Sequence, residues 1–264
     1  MAEYGREIVY GAGCGGIEVE GSKMFLNSGV SASGAGADQS MFAVWVFDDN
    51  AFKSGTAGKE GFPLPDLVFQ DEQTNTLTGG NLVGPGPSDS TGQLPGITTR
   101  RDSHGMDVTE NGQYLHVVDR IQNKMEVFDV NTYQRFGYDL TSKSGHSGRN
   151  GQPGACMAKS VTDDSKLPLN DPAPDLFERT PDGKYMMIAL RGPAPVSVGH
   201  SAQGSCPGVG IVELLPNQKF GKLVDVLRTT NTVDDAPLGT IPGGVAYSGA
   251  ERSDVHGAIV VSRP

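Results

Sequence analysis

The chain has 264 residues, a formal net charge of −10 and a pI near 4.9. Its lysines and arginines are dispersed, which argues against nucleic acid and anionic membrane surfaces as partners, and no stretch is apolar for the length of a membrane span. With 37 glycines, 17 prolines and no long window of apolar residues at helical spacing, the composition indicates an all-β chain with long loops.

In chain order, the opening Met-Ala-Glu-Tyr-Gly-Arg-Glu has neither the charged nor the apolar region of a signal peptide, which fits a cytosolic chain or a piece of a longer one. Residues 6–10 are expected to form a short strand. Gly11-Ala12-Gly13-Cys14-Gly15-Gly16 looks loosely like a phosphate loop, but it leads into a strand, so the helix N-terminus that would hold phosphate is missing. Residues 15–26 then supply two strands, and a Gly/Ser/Ala-rich loop, 28–39, leads to the apolar run Met-Phe-Ala-Val-Trp-Val-Phe at 41–47 and a fourth strand at 66–69.

Residues 104–140 are the best-defined stretch. Runs rich in Val, Tyr and Phe at 104–108, 113–119, 125–130 and 135–140 alternate with polar turns at 109–112, 120–123 and 131–134, the signature of a β-meander. A lone meander has two open edges and an uncovered face, so it is expected to be one unit of an array. The unit recurs at 175–227, with strands at 175–179, 184–190, 209–214 and 219–227. The His-Gly-apolar opening of the second unit returns at 255–261.

The repeated pattern is His-Gly-apolar-x-apolar, a turn ending in Asn/Asp-Gly, an apolar strand opened by Gln-Tyr or Lys-Tyr, and a strand ending Val-Phe-Asp-Val. It resembles the YVTN-type β-propeller repeat of YncE-like proteins, lactonase-like propellers and the heavy subunits of quinoprotein amine dehydrogenases, within the wider WD40-like superfamily. The resemblance covers the strands and leaves the long loops unexplained. It implies an all-β chain, a β-propeller of four-stranded antiparallel blades, incomplete, occupying 1–264. Its blades are expected at 15–69, 104–140 and 175–227, with the first strand of a further blade at 255–261. Three blades do not close a ring. The chain is therefore expected to be part of a larger propeller, with residues 6–10 ending a preceding blade, or to cover its edges by self-association.

Antiparallel alternation sorts the loops by rim. The long stretches 28–39, 192–208, 70–103, 141–174 and 229–254 all fall on one rim, and 48–65 is the one long stretch on the other. Long loops carry function more often than tight turns do. On the elaborated rim, His104, Asp175 and His256 open first strands, and Arg120 and Arg191 end second strands. These five side chains at a channel mouth suit an anion or a carboxylate-bearing small molecule. Alternatively, His104, His256 and Asp175 suit a metal. In the plain reading the imidazoles bond loop backbone, and the arginines pair with Asp102, Asp119 or neighbouring acids.

The resemblance implies a binding or scaffolding module whose long-loop rim receives a small ligand or a protein partner. Its rival is a lactonase-like hydrolase, or a metal- or quinone-dependent oxidoreductase, with the site at the channel mouth. No cofactor is assigned, and an extracellular or periplasmic location is expected. Cys156 and Cys206 sit in Gly/Pro-rich loops and are either a disulfide or free thiols. His116 is expected to be structural, and His146 and His200 to be solvated. Ser201 and Ser205 lie in no Gly-x-Ser-x-Gly elbow, so serine hydrolysis has no support. Asp163-Asp164 and Asp234-Asp235 lack calcium-loop spacing. Trp45, Phe42 and Phe47 are expected to pack between blades.

Overall fold

The computed structural model describes residues 16–19, 23–28, 42–48, 66–70, 103–120, 123–140, 172–192, 207–229, 239–240, 246–247 and 254–262. Among these residues every regular element is a strand. The first sheet holds β1 (Gly16–Val19), β2 (Lys23–Ser28), β3 (Ala43–Asp48) and β4 (Asp66–Gln70), in that order. The second holds β5 (Ser103–Val108), β6 (Tyr114–Asp119), β7 (Lys124–Asp129) and β8 (Arg135–Asp139). The third holds β9 (Pro174–Arg179), β10 (Tyr185–Leu190), β11 (Gly208–Leu214) and β12 (Gly221–Arg228). Each strand pairs antiparallel with its sequence neighbour. The first strands β1, β5 and β9 stand side by side. This is a propeller's blade arrangement, and among the described residues the three sheets do not close into a ring.

Local chemistry explains the tight ends. Thr109-Glu110-Asn111-Gly112 and Thr180-Pro181-Asp182-Gly183 are the same turn built twice. The threonine hydroxyl donates to the side chain two residues on, Asn111 Oδ1 at 2.7 Å and Asp182 Oδ1 at 2.6 Å, and accepts from the N–H of Tyr114 or Tyr185. Both turns end on a glycine at positive φ, 70° for Gly112 and 66° for Gly183, where a side chain would be strained.

Strand β6 shows how the sheets stack. All six of its residues are buried, which a half-exposed strand with period 2 would not allow. Leu115 and Val117 face the first sheet, joining Phe25, Val44, Met106 and Phe128. Tyr114 and Val118 face the third, joining Met125, Val127, Ile188 and Val212. Each such side chain contributes up to about 1.5–3 kcal/mol, an upper bound because an unfolded chain already buries part of it. On the same side as Tyr114, His116 links the second and third sheets. Its Nε2–H donates to the Gln218 carbonyl at 2.8 Å, so its Nδ1 accepts from the Tyr138 hydroxyl at 3.2 Å. Burial lowers the His116 pKa to about 4, only partly opposed by that carbonyl, and raises that of Tyr138.

Three expectations need revision. Residues 255–261, read as a first strand, join no ladder. They run beside β9, touching it through Leu176 N–H to His256 O at 3.4 Å and Val260 N–H to Glu178 Oε2 at 2.6 Å. Spending one contact on a side chain breaks the pairing a strand needs. The stretch 229–254 contains a short hairpin, β13 (Gly239–Thr240) and β14 (Ala246–Tyr247), too brief for a periodicity signal. Trp45 is half-buried and outside the apolar cluster that Phe42 joins. The strand at 6–10, the glycine run at 11–16 apart from Gly16, the three cysteines, His146, His200, Ser201, Ser205 and both aspartate pairs lie outside the described residues.

Candidate functional site

The site grows from two irregularities in the first strands. In β5, Ser103 pairs with Asp119 and Met106 with Val117, so His104 and Gly105 together oppose one residue of β6. In β9, Phe177 pairs with Ile188 and Pro174 with Leu190, so Asp175 and Leu176 together oppose Ala189. These are β-bulges at equivalent places in neighbouring sheets, and a bulge re-aims the side chain it carries. A Cβ on Gly105 would lie 2.4 Å from the Asp175 carbonyl oxygen and 2.9 Å from Leu176 Cα. Glycine is therefore what lets β5 come close enough to β9 for His104 to meet Asp175. The second His-Gly differs, because a Cβ on Gly257 would have its nearest neighbour, Leu176 Cδ1, at 3.9 Å.

Further contacts hold the bulges in place. Asn27 donates from its side chain to the His104 carbonyl. Asn123, at φ 56° in the β6–β7 turn, accepts from the Ala173 N–H through Oδ1 at 2.8 Å, two residues before Asp175. Asparagine tolerates that left-handed conformation better than most residues.

Asp175, 0% exposed, is the centre. Its Oδ1 lies 2.8 Å from His104 Nε2 and 3.9 Å from His256 Nε2. Its Oδ2 lies 3.2 Å from Arg191 Nη1 and 3.6 Å from Arg120 Nη1. One oxygen thus serves the imidazoles and the other the guanidiniums. At 2.8 Å the His104 imidazole is within hydrogen-bonding distance of the Asp175 carboxylate, and this contact helps keep the carboxyl ionised. The two imidazole rings meet edge to face with centroids 5.8 Å apart. His104, Arg120 and Arg191 are buried, whereas the His256 side chain is 44% exposed and forms the solvent face of the cluster.

The charges around each group set its ionisation. Burial works to raise the Asp175 pKa but is outweighed by the contact with His104 and by the charges of His104, Arg120 and Arg191, so its carboxyl is held below the ordinary range. Burial lowers Arg191, although Asp175 and Asp254 oppose it. Burial likewise lowers His256, with Asp175 opposing and the neighbouring cations assisting.

The structure brings together all five residues singled out in the sequence. It adds Asp254, whose Oδ2 accepts from Arg191 Nη2 at 2.7 Å and whose side chain is 1% exposed. Arg191 therefore spans two carboxylates, and a bound anion would have to compete with both. Arg120 and Arg191 both face Asp175, and Arg191 also pairs with Asp254, so neighbouring acids hold the arginines as the plain reading expects. A signal for Asp254 was present in the sequence: Asp-x-His-Gly occurs at 102–105 and again at 254–257.

An all-β assembly of propeller blades, with a charged cluster where two first strands begin, is the class of molecule these features define. No family model matches the chain, and no curated protein matches it. Among solved structures it is similar to a candidate 6-phosphogluconolactonase from Bacteroides uniformis (12% identity, TM-score 0.40, covering 88% of this chain and 45% of that one). It is also similar to a protein from Lactobacillus plantarum (11%, 0.39, 87% and 59%) and to the periplasmic gluconolactonase of Pseudomonas aeruginosa (14%, 0.35, 87% and 60%). The chain spans less than two thirds of the length of each. Likeness at this level identifies neither a family nor an activity. Among the described residues no helix is long and apolar enough to cross a membrane.

Proposed function

We propose that the rim where β5 and β9 begin is a small-molecule site, and that its chemistry is hydrolysis of a cyclic ester of the lactone type. The observation that carries the reading is Asp175 itself, a fully buried carboxylate with one oxygen turned to two imidazoles, of which His256 reaches solvent. An imidazole–carboxylate cluster draws a proton from a water as that water adds to an ester carbonyl. The water oxygen bonds to the carbonyl carbon, the ring C–O bond breaks, and the proton passes to the departing alkoxide, giving an open hydroxy acid. The repeat's resemblance to lactonase-like propellers supports the substrate class. That resemblance also implies an extracellular or periplasmic setting.

The test is acid release from a sugar δ-lactone, followed by pH-stat above the spontaneous rate. Wild-type protein is expected to accelerate ring opening, and His256→Ala to lose about 100-fold or more of that acceleration, the usual weight of a positioned proton acceptor. Equal rates in both proteins would overturn the reading.

A second reading, capture of a protein partner or another copy, has one observation in its favour. Ile259 and Val261, beside β9, are 84% and 78% exposed, and adjacent exposed apolar side chains favour association. Light scattering of the intact chain tests it: a monomer whose mass does not change with concentration would leave no place for self-association.

A further inference from the structure

We propose that His104, Asp175 and His256 hold one divalent first-row transition ion of the zinc class, with Asp175 Oδ1 as the carboxylate ligand. Each of the three residues offers a donor atom, and these atoms all lie within 4.8 Å of one another. Two imidazoles and a carboxylate form a donor set that suits zinc and its neighbours and leaves a coordination position open. Ligand atoms around such an ion, at bonds near 2.0 Å and tetrahedral angles, stand about 3.3 Å apart. The separations from Asp175 Oδ1 are 2.8 Å to His104 Nε2 and 3.9 Å to His256 Nε2. A shift of about half an ångström in each, in opposite senses, brings them to that spacing.

The division of labour on Asp175 makes the site specific. Oδ2 is turned to Arg191 and Arg120, which fixes the carboxylate plane and leaves Oδ1 for the ion. Asp254 anchors Arg191 from the other side. This is an outer shell of the kind that orients metal ligands and tunes their affinity. It also fixes the chemistry of the open position. Two guanidiniums and two carboxylates cancel, so an arriving dication leaves the centre positive. The only side of the cluster that reaches solvent among its members is that of His256. The exogenous ligand there is accordingly an oxygen anion, either hydroxide or the carboxylate of a bound acid. The consequence for catalysis rests on the hydrolytic reading above, whereas the affinity for the ion does not.

The experiment is titration of the intact, chelator-treated chain with Zn²⁺ by calorimetry and with Co²⁺ by visible absorption. One tight equivalent and a cobalt spectrum of low coordination number are expected. His256→Ala should weaken zinc by more than the roughly 10–100-fold that loss of an outer-shell partner costs, and Asp254→Asn should fall within that range. Far-ultraviolet circular dichroism of each variant shows that the sheets persist. If His256→Ala does not fold, His256→Gln and the wild-type cobalt spectrum carry the test. Absence of a tight equivalent, or zinc binding indifferent to His256, overturns the proposal. Hydrolysis that persists unchanged after chelation overturns a catalytic role for the ion and leaves the hydrolytic reading standing. A tight equivalent without lactone hydrolysis does the reverse.

Discussion

His104 and His116 lie in adjacent strands of the same sheet. Both are buried, and both reach towards the third sheet, yet they do opposite work. His116 is fully buried and held neutral between a carbonyl and a hydroxyl. His104 belongs to a cluster of two carboxylates, two guanidiniums and a second imidazole, gathered by bulges and closed to solvent except at His256. Apolar packing and a neutral tie join sheets at low electrostatic cost. Burying charges is expensive even when they are paired, and a well-packed apolar replacement is often as stable. The contrast teaches that the rim cluster is costly as a joint, a cost that the small-molecule site proposed above accounts for.

The comparison can be broken in several places. The largest effect is expected from Asp175→Ala, which leaves Arg120 and Arg191 buried without their shared carboxylate. Breaking a buried pair in this way costs about 3–5 kcal/mol, measurable as a lower urea midpoint with unchanged slope. Next comes acidification. His116 has a folded pKa of about 4 against an ordinary 6.5, so between those values the unfolded chain binds the proton first. Its contribution is complete above pH 6.5 and is lost as pH falls towards 4, to a total of about 3 kcal/mol at 1.36 kcal/mol per pH unit. His116→Phe should flatten that part of the stability–pH curve, and a curve unchanged by the substitution would mean the tie is not formed. Smaller again is the pair Gly105→Ala and Gly257→Ala. The first forces β5 from β9 and should cost about 1–3 kcal/mol, while the second, in open space, should stay within about 0.5 kcal/mol. Equal costs would mean that the close approach at Gly105 is not what brings His104 to Asp175. The smallest is Gln218→Ala, on the turn-lined rim, where the side chain donates to Gly183 O at 3.3 Å and accepts from Asn111 N–H at 3.4 Å. It should cost about 1 kcal/mol and leave zinc binding and hydrolysis unchanged.

Much of this was legible in the sequence, for physical reasons. The strands of the second and third sheets announce themselves through alternation and through Thr-x-Asn/Asp-Gly turns, whose chemistry is local. Arg120 and Arg191 could be equated because each follows the last residue of a second strand, β6 or β10. The bulges at His104-Gly105 and Asp175-Leu176 were not legible, because one extra residue at a strand entry leaves the apolar pattern beyond it intact. Asp254 carries little repeat signal because it sits just after a loop, outside the repeat, although its Asp-x-His-Gly setting echoes 102–105. The apolar pattern of residues 255–261 shows that the segment can be a strand, but a ladder also needs a partner whose backbone is free to pair. The position of His116 inside a second strand marks it as structural, but its partner Gln218 lies 102 positions away, beyond the reach of any local signal.

The most direct test of the central claim, that the rim cluster is a site and the His116 tie a joint, measures stability and lactone hydrolysis together on His256→Ala. His256 is the exposed member, so its loss is expected to change the unfolding free energy by no more than about 0.5 kcal/mol, as at a surface position, while the acceleration of hydrolysis falls about 100-fold or more. A variant that loses several kcal/mol while turning over lactone as fast as wild type would contradict it.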